Sequence, residues 1–443
     1  MVVSFFQVMM SMLAGITVIL FLTVKYRVPA FFALLIACFV TAAGSQIAPA
    51  DTINLVKDGF AGIMRSLSLI IVLGTTLGLL LEHNGSTRVM ADFILKKTGP
   101  GRPAWAMSLA GFIVGLPIFC DSGYIVLSGL NRQLSKRTGV SVIPIAVSLA
   151  TGLYSVHCLV PPHPGAAAAA ASFGVDFGKL ILFGIMVAIP AMLAGHAWAL
   201  YAGKKFQQVL PEEAGRETAV QEAPPVVIAC LPVLIPILLI AGRSFLSIEQ
   251  RPAGKGLNIL LSLGDPVIAL GIGVLLAFIP RGIWTKNTVR ALLEEAVEKA
   301  GSILVIIGAG GAFGAVLAAT KPGDHFSEIE GLKHLGILFP FLLTMILKTA
   351  QGSSTVAIIT AASIVLPLLA TLGLDTTTGR MLCVLSMGAG SMMVSHANDA
   401  YFWVIVKFSG LDMKTVLKVY SVATCWMGLT ALLVVYILSI MLS

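Results

Sequence analysis

Charge is what this sequence has least of. Lys, Arg, Asp and Glu together make up 11% of the 443 residues, against 57% apolar residues and a mean hydropathy of +0.95. A soluble globular domain carries about 25% charged residues, so that class is excluded and a polytopic membrane protein is expected. Metal-ligand spacing is missing as well. The six cysteines, Cys38, Cys120, Cys158, Cys230, Cys383 and Cys425, are scattered through apolar segments, which argues against a disulfide framework and against a zinc site. Neither a metal nor a cofactor is expected. The net charge of +8 comes from basic residues in short loops between apolar runs, where orientation in a membrane explains them and nucleic-acid binding does not. The first apolar run, Val2 to Val24, lacks a basic leader and a small-residue cleavage site, so it is expected to be retained as a span.

What is present is a series of long apolar runs. A bilayer crossing takes about 20 apolar residues, which predicts ten spans: 3–24, 28–48, 60–82, 142–172, 179–201, 225–242, 264–280, 301–320, 379–409 and 415–440. Two further apolar segments, 103–130 and 337–366, are broken midway by polar and Gly residues, and each is expected to enter the membrane and return as a hairpin. Residues 285–300, with Glu294, Glu295, Glu298 and Lys299, read as an amphipathic surface helix, and 202–224 as a charged cytoplasmic linker. With the Lys25 to Arg27 loop placed in the cytoplasm and both hairpins non-crossing, the cytoplasmic loops and their flanks hold 19 of the 29 Lys and Arg residues. The positive-inside bias then puts both termini outside. Shifting residues 28–201 by 236 lands each segment on a later one, with Gly74 and Gly78 falling on Gly310 and Gly314, and Asp176 on Asp412. Five spans per half make the second repeat inverted, the architecture of many secondary transporters.

Polar groups inside apolar runs carry the functional signal. The stretch from Val394 to Trp403 sets Ser395, His396, Asn398 and Asp399 in an apolar run, and the stretch from Val156 to Gly165 does the same with His157, Pro162 and His163. A charged side chain at the bilayer centre costs roughly 2.5 to 3.5 kcal/mol, so it faces a polar cavity and a partner. The hairpin tips add Asp121, Ser122 and Gly123, and Gly352, Ser353, Ser354 and Thr355. Broken helices expose free N–H groups and a positive dipole end, which suit a carboxylate, while Asn398 can both donate to and accept from a substrate hydroxyl. Plainer uses exist for the same residues. Pro161, Pro162 and Pro164 can kink a span, His157 and His163 can bond carbonyls, Lys348 can pair with an acidic side chain to hold its hairpin, and Arg65 can snorkel from a helix end. The Gly-rich run from Gly308 to Gly314 resembles a nucleotide loop in composition, but inside a span it serves close helix packing.

Four motifs carry a family resemblance: Gly115 to Phe119 running into Asp121 and Gly123; His157 with Pro161 to Gly165; Gly352 to Ala357; and Ser395 to Asp399 with Phe402 and Trp403. In these, and in their order along the whole chain, the sequence resembles the gluconate permease family of bacterial sugar-acid:proton symporters. The resemblance implies an inner-membrane location, proton-coupled uptake, and a scaffold domain with a moving transport domain. Where gluconate carriers commonly have Glu, an apolar residue and Gly, this chain has Asp121, Ser122 and Gly123. Ala166 and the pair Ala400 and Tyr401 depart from the family pattern too, so a shorter or differently substituted hydroxy acid also fits.

The expectation is therefore an all-α carrier of a small hydroxy-carboxylate and protons, homodimeric, with no enzymatic activity. A channel, or an intramembrane enzyme built on His157, His163 and Asp399, are the alternatives. Residues 1–100 and 204–336 are expected to form the scaffold, and 101–203 and 337–443 the transport domain. Asp121, Asp399 and His163 are the proton-coupling candidates, with Asp121 preferred because it stands where the family has Glu; His157 and His396 compete.

Overall fold

The computed structural model describes residues 5–99, 101–206, 224–246, 259, 261–280, 284–320, 334–396 and 399–442. Most of the expected linker and Asn398 lie outside these. The regular elements among the described residues are all helices, as a bilayer demands of a chain that must satisfy its own backbone. The first half comprises α1 (Phe5–Leu20, continued by a π-turn Phe21–Lys25), α2 (Ala30–Gly44), α3 (Pro49–His83), α4 (Ser86–Thr98), α5 (Pro103–Gly115), α6 (Cys120–Thr138), α7 (Val142–Leu159), α8 (Pro164–Phe173) and α9 (Phe177–Lys205). The second comprises α10 (Val226–Leu246), α11 (Pro266–Ala277), α12 (Lys286–Ala319), α13 (Leu338–Gln351), α14 (Ser354–Val365), α15 (Thr377–Met392), α16 (Ala400–Ser409) and α17 (Val422–Met441), the last led in by a short turn from Met413.

Local chemistry sets these boundaries. Pro occupies the first turn of α3, α5, α8 and α11, where its missing N–H costs nothing. Ser141, Asp176, Asp265, Thr285, Ser353, Thr376 and Asp412 each accept a first-turn N–H as N-caps. The repeat is legible in this punctuation. Gly174 and Gly410 end α8 and α16 with φ of 65° and 77°, and Asp176 and Asp412 then cap the next helices. Pro49–His83 answers to Lys286–Ala319, Pro103–Gly115 to Leu338–Gln351, Val142–Leu159 to Thr377–Met392, and Pro164–Phe173 to Ala400–Ser409.

Packing interlocks the halves reciprocally. The hairpin arm α6 lies against α16, and its counterpart α14 lies against α8; α3 packs along α12, and α9 along α17. Small residues let backbones touch. A Cβ on Gly152 of α7 would stand 2.3 Å from the Ser108 carbonyl oxygen of α5, and one on Gly390 of α15 would stand 2.3 Å from the Phe341 oxygen of α13. The Gly-rich run lies inside α12, where Gly308 meets Phe60, Gly310 meets Ile359 and Gly311 meets Ile63 and Gly59.

Two expectations change. Residues 285–300 are not a separate surface helix: α12 runs unbroken for 34 residues, because the isolated Gly301 between Glu298 and Ile303 weakens a helix without ending it. Its counterpart α3 starts at Pro49, well before residue 60, and bends by 45° between Pro49–Arg65 and Leu67–His83, leaving Arg65 exposed at the bend. Among the described residues, five helical stretches, with α7 and α8 counted together as one, are long and apolar enough to cross a bilayer, or six counting the bent pair. The other expected spans correspond to shorter apolar helices such as α2 and α11, or to half-helices in series such as α15 and α16.

Two predictions follow from these contacts. Gly152→Ala and Gly390→Ala should each lower the thermal stability of the purified protein by several degrees, because a backbone carbonyl cannot retreat. Gly129→Ala, with nothing within 4 Å of its Cβ, should be neutral. Asp412 accepts from the Thr415 hydroxyl at 2.7 Å and from its amide at 2.9 Å, and these bonds hold its carboxyl below the ordinary value. The cap's contribution is therefore present above the unfolded carboxylate's titration range and lost as pH falls through the lower folded value. Asp412→Ala should cost about 1 kcal/mol at neutral pH, and the gap from wild type in thermal unfolding should close in acid.

Candidate functional site

Four helix N-termini converge on one cavity of about 480 Å³. The tip of the first hairpin delivers Phe119, Cys120, Asp121 and Ser122 at the start of α6. The second hairpin turns on Gly352 (φ 77°) and delivers Ser353, Ser354 and Thr355 at the start of α14. The unwound segments deliver Pro164 at the start of α8, and Asp399, Ala400 and Tyr401 at the start of α16. First-turn N–H groups have no carbonyl one turn earlier to bond, so this arrangement surrounds the cavity with donors and positive dipole ends. An anion is the natural occupant.

One wall is aromatic. Tyr154 and Tyr401 stack at 5.6 Å between ring centroids, and Tyr154 lies parallel to His157 at 6.3 Å. Their hydroxyls are committed elsewhere: Tyr154 donates to the Ser391 carbonyl and Tyr401 to the Ala150 carbonyl, each at 3.1 Å. These bonds tie α7 to α15 and α16 and keep the two hydroxyls engaged with backbone carbonyls. A further wall comes from α12, where Lys299, Ser302, Ile303 and Ile306 follow the i, i+3, i+4, i+7 pattern of a single helix face.

The two acidic residues differ in their commitments. Asp399 is almost buried and accepts from the fully buried Lys348 ammonium at 2.9 Å, from the Ser395 hydroxyl at 2.5 Å and, through its other oxygen, from the Tyr401 amide at 3.0 Å. It is a helix cap and half of an ion pair. Asp121 faces the cavity, and among the described residues its carboxylate has only the Cys120 thiol beside it, at 3.9 Å. Lys299 is half-exposed and pairs with Glu295 at 2.7 Å.

Of the residues singled out from the sequence, the structure brings Asp121, Ser122, His157, Gly352, Ser353, Ser354, Thr355 and Asp399 to the cavity wall. Others stand behind it. Gly123 packs against Leu153, which a Cβ would meet at 2.7 Å. Pro162, joined to Pro161 by a cis peptide, lines a separate apolar crevice with Ile70, Leu77 and Pro236. His163 is buried, and its Nε2 donates to the Gly115 carbonyl at 2.7 Å. His396 Nε2 donates to the Thr349 carbonyl at 3.0 Å, and Ser395 serves Asp399. Lys348 does hold its hairpin through an acidic partner. Tyr154 and the α12 face are absent from the site expected from the sequence, where Phe119 figures only as the end of a motif. The spacing of Lys299, Ser302, Ile303 and Ile306 was the available signal there, obscured by the acidic residues just before it.

The family model for GntP family permeases matches residues 7–441. The chain is 32% identical to a gluconate permease of Pseudomonas aeruginosa, with 98% of each chain covered. It is 30% identical to the inner membrane permease YgbN of Escherichia coli over 96% of each, and 31% identical to the D-serine transporter DsdX of the same species over 98% of each. In fold it is similar to the Alcanivorax borkumensis YdaH transporter, with a TM-score of 0.58 at 17% identity, covering 88% of this chain and 90% of that one. The cavity ringed by helix ends is thus the interior of a transporter and not of an enzyme, in a multi-pass protein of the bacterial inner membrane, and the chain belongs to the GntP family permeases.

Proposed function

We propose that the protein imports a small hydroxylated carboxylate together with protons, and that Asp121 is the residue that takes the proton. The observation that carries this reading is that, among the described residues, no basic side chain pairs with the Asp121 carboxylate in the cavity, where Asp399 is already neutralised by Lys348. The substrate carboxylate would sit at the start of α14, receiving first-turn N–H groups and the Ser354 and Thr355 hydroxyls, while Ser122 and Ser302 address its hydroxyls and the Tyr154 and Tyr401 rings its carbon chain. Two carboxylates in one cavity repel unless one is protonated. Substrate and proton then favour each other's binding, which is coupling in the thermodynamic sense.

The expected division into scaffold (1–100 and 204–336) and transport domain (101–203 and 337–443) is retained as part of this proposal. It is supported by the cavity's lining, which draws on both hairpin tips and both unwound segments from the one group and on α12 from the other. Alternating access would carry the first group past the second, with scaffold surfaces forming a homodimer. The charged N-terminal half of α12, which the positive-inside bias assigns to the cytoplasm, reaches the cavity at Lys299. This conformer is therefore read as open inward.

A second reading rests on the same carboxylate. Asp121 and the α14 N-terminus in one cavity would also suit a zwitterion, its ammonium on Asp121 and its carboxylate on α14. One of the similar proteins is named a D-serine transporter.

Thermal-shift screening of the purified protein against hydroxy acids of three to six carbons and D-serine should stabilise it with an acid in preference to D-serine. The reverse order would select the zwitterion. In proteoliposomes given the stabilising ligand, uptake should rise as external pH falls. Asp121→Asn should abolish accumulation against a gradient while keeping exchange across the membrane. Normal pH-dependent accumulation by that variant would rule Asp121 out as the coupling residue.

A further inference from the structure

Among the described residues, Lys348 is the one Lys or Arg that is buried, with its side chain 0% exposed. It sits in the last turn of α13, and its ammonium reaches across to the unwound segment that follows α15. Three different oxygens gather there. The Asp399 carboxylate is 2.9 Å from Nζ, the Val394 carbonyl is 3.4 Å away, and the Ser395 hydroxyl bonds to that same carboxylate oxygen. Val394 holds its carbonyl there with φ of +49°, a left-handed conformation that a β-branched residue adopts only when its surroundings enforce it. The His396 imidazole, bonded to the Thr349 carbonyl, pins the same segment to the same hairpin arm.

Transporters with broken helices coordinate a monovalent cation with backbone carbonyls released by the break, and here a carboxylate and a hydroxyl stand beside such a carbonyl as further oxygen donors. Here the chain fills that position with its own ammonium. We propose that Lys348 is the residue that fixes the ion preference of this carrier: it acts as a tethered cation, satisfies the oxygens that sodium would otherwise take, and makes the site indifferent to sodium. The other half of the molecule has no equivalent position. The repeat shift of 236 puts Phe112 where Lys348 stands and His163 where Asp399 stands, and His163 is spent on the Gly115 carbonyl. The proposal rests on this ion pair and not on the role of Asp121. An Asp121→Asn variant that behaved like wild type would leave it untouched.

The physical consequence is that removing the ammonium should create a sodium site. Lys348→Gln leaves a buried carboxylate with no counter-charge, a severe defect, and a small cation entering from the cavity can relieve it. The test is thermal unfolding of the full-length protein, purified in detergent without substrate, in sodium chloride and in choline chloride at equal ionic strength. Wild type should unfold at the same temperature in both salts. Lys348→Gln should lose several degrees in choline and recover selectively and dose-dependently in sodium, by mass action. The double variant Lys348→Gln with Asp399→Asn, in which both charges leave together, should fold and show no sodium response. A sodium-selective shift in wild type overturns the proposal, as does a folded Lys348→Gln variant that treats the two salts alike. Should Lys348→Gln survive in neither salt, the double variant decides. Its recovery supports charge imbalance as the defect, and its failure to fold makes Lys348 a packing residue and overturns the assignment.

Discussion

Backbone that leaves a helix inside a bilayer has no water to bond to, and every polar group it releases must find a partner within the protein. This chain breaks its helices at four places deep in the fold: two hairpin tips and two unwound segments. The rest of the structure is arranged to satisfy those breaks. In the first half, the His163 imidazole bonds the Gly115 carbonyl at the end of the hairpin arm. In the second, His396 bonds the Thr349 carbonyl, Lys348 the Val394 carbonyl and the Thr424 hydroxyl the Ser395 amide. Each half thus pins its unwound segment to its own hairpin with an imidazole. Such bonds work only if the helices approach closely, which is why glycines face carbonyls at Gly152 and Gly390.

The same ties decide what is left for chemistry. The histidines that pin the breaks are withdrawn from the cavity or turned aside from it, and Asp399 is taken up by Lys348, Ser395 and the Tyr401 amide. A buried ion pair offsets the cost of its desolvation only with good geometry and added hydrogen bonds, and this one has both. What remains facing the cavity is Asp121, His157 and a ring of helix N-termini, together with the Tyr154 and Tyr401 side chains and the α12 face. The repeat is therefore symmetric in its helices and asymmetric in its charges. One half holds its break with a salt bridge, while in the other the Asp121 carboxylate has no ion-pair partner among the described residues.

Much of this was legible in the sequence because the determinants are local. Long apolar runs fix the spans, and polar or Gly residues interrupting them mark the breaks. The register of the repeat shows in residues as plain as Asp176 and Asp412, since a cap is decided by a few neighbouring positions. Eight of the fourteen expected site residues reach the cavity for the same reason: they lie at the breaks, and the breaks converge. The tertiary structure alone decided which side of each break faces the ligand. Pro162 and His163 are adjacent to Pro164 in sequence, yet Pro162 turns into an apolar crevice against α3 and α10, while Pro164 lines the cavity. The contribution of Lys299 and the α12 face depended on packing between halves more than a hundred residues apart, which hydropathy does not encode. So did the assignment of Lys348 to Asp399, because a charge inside the membrane announces that it must have a partner, while only the folded chain brings that partner within reach.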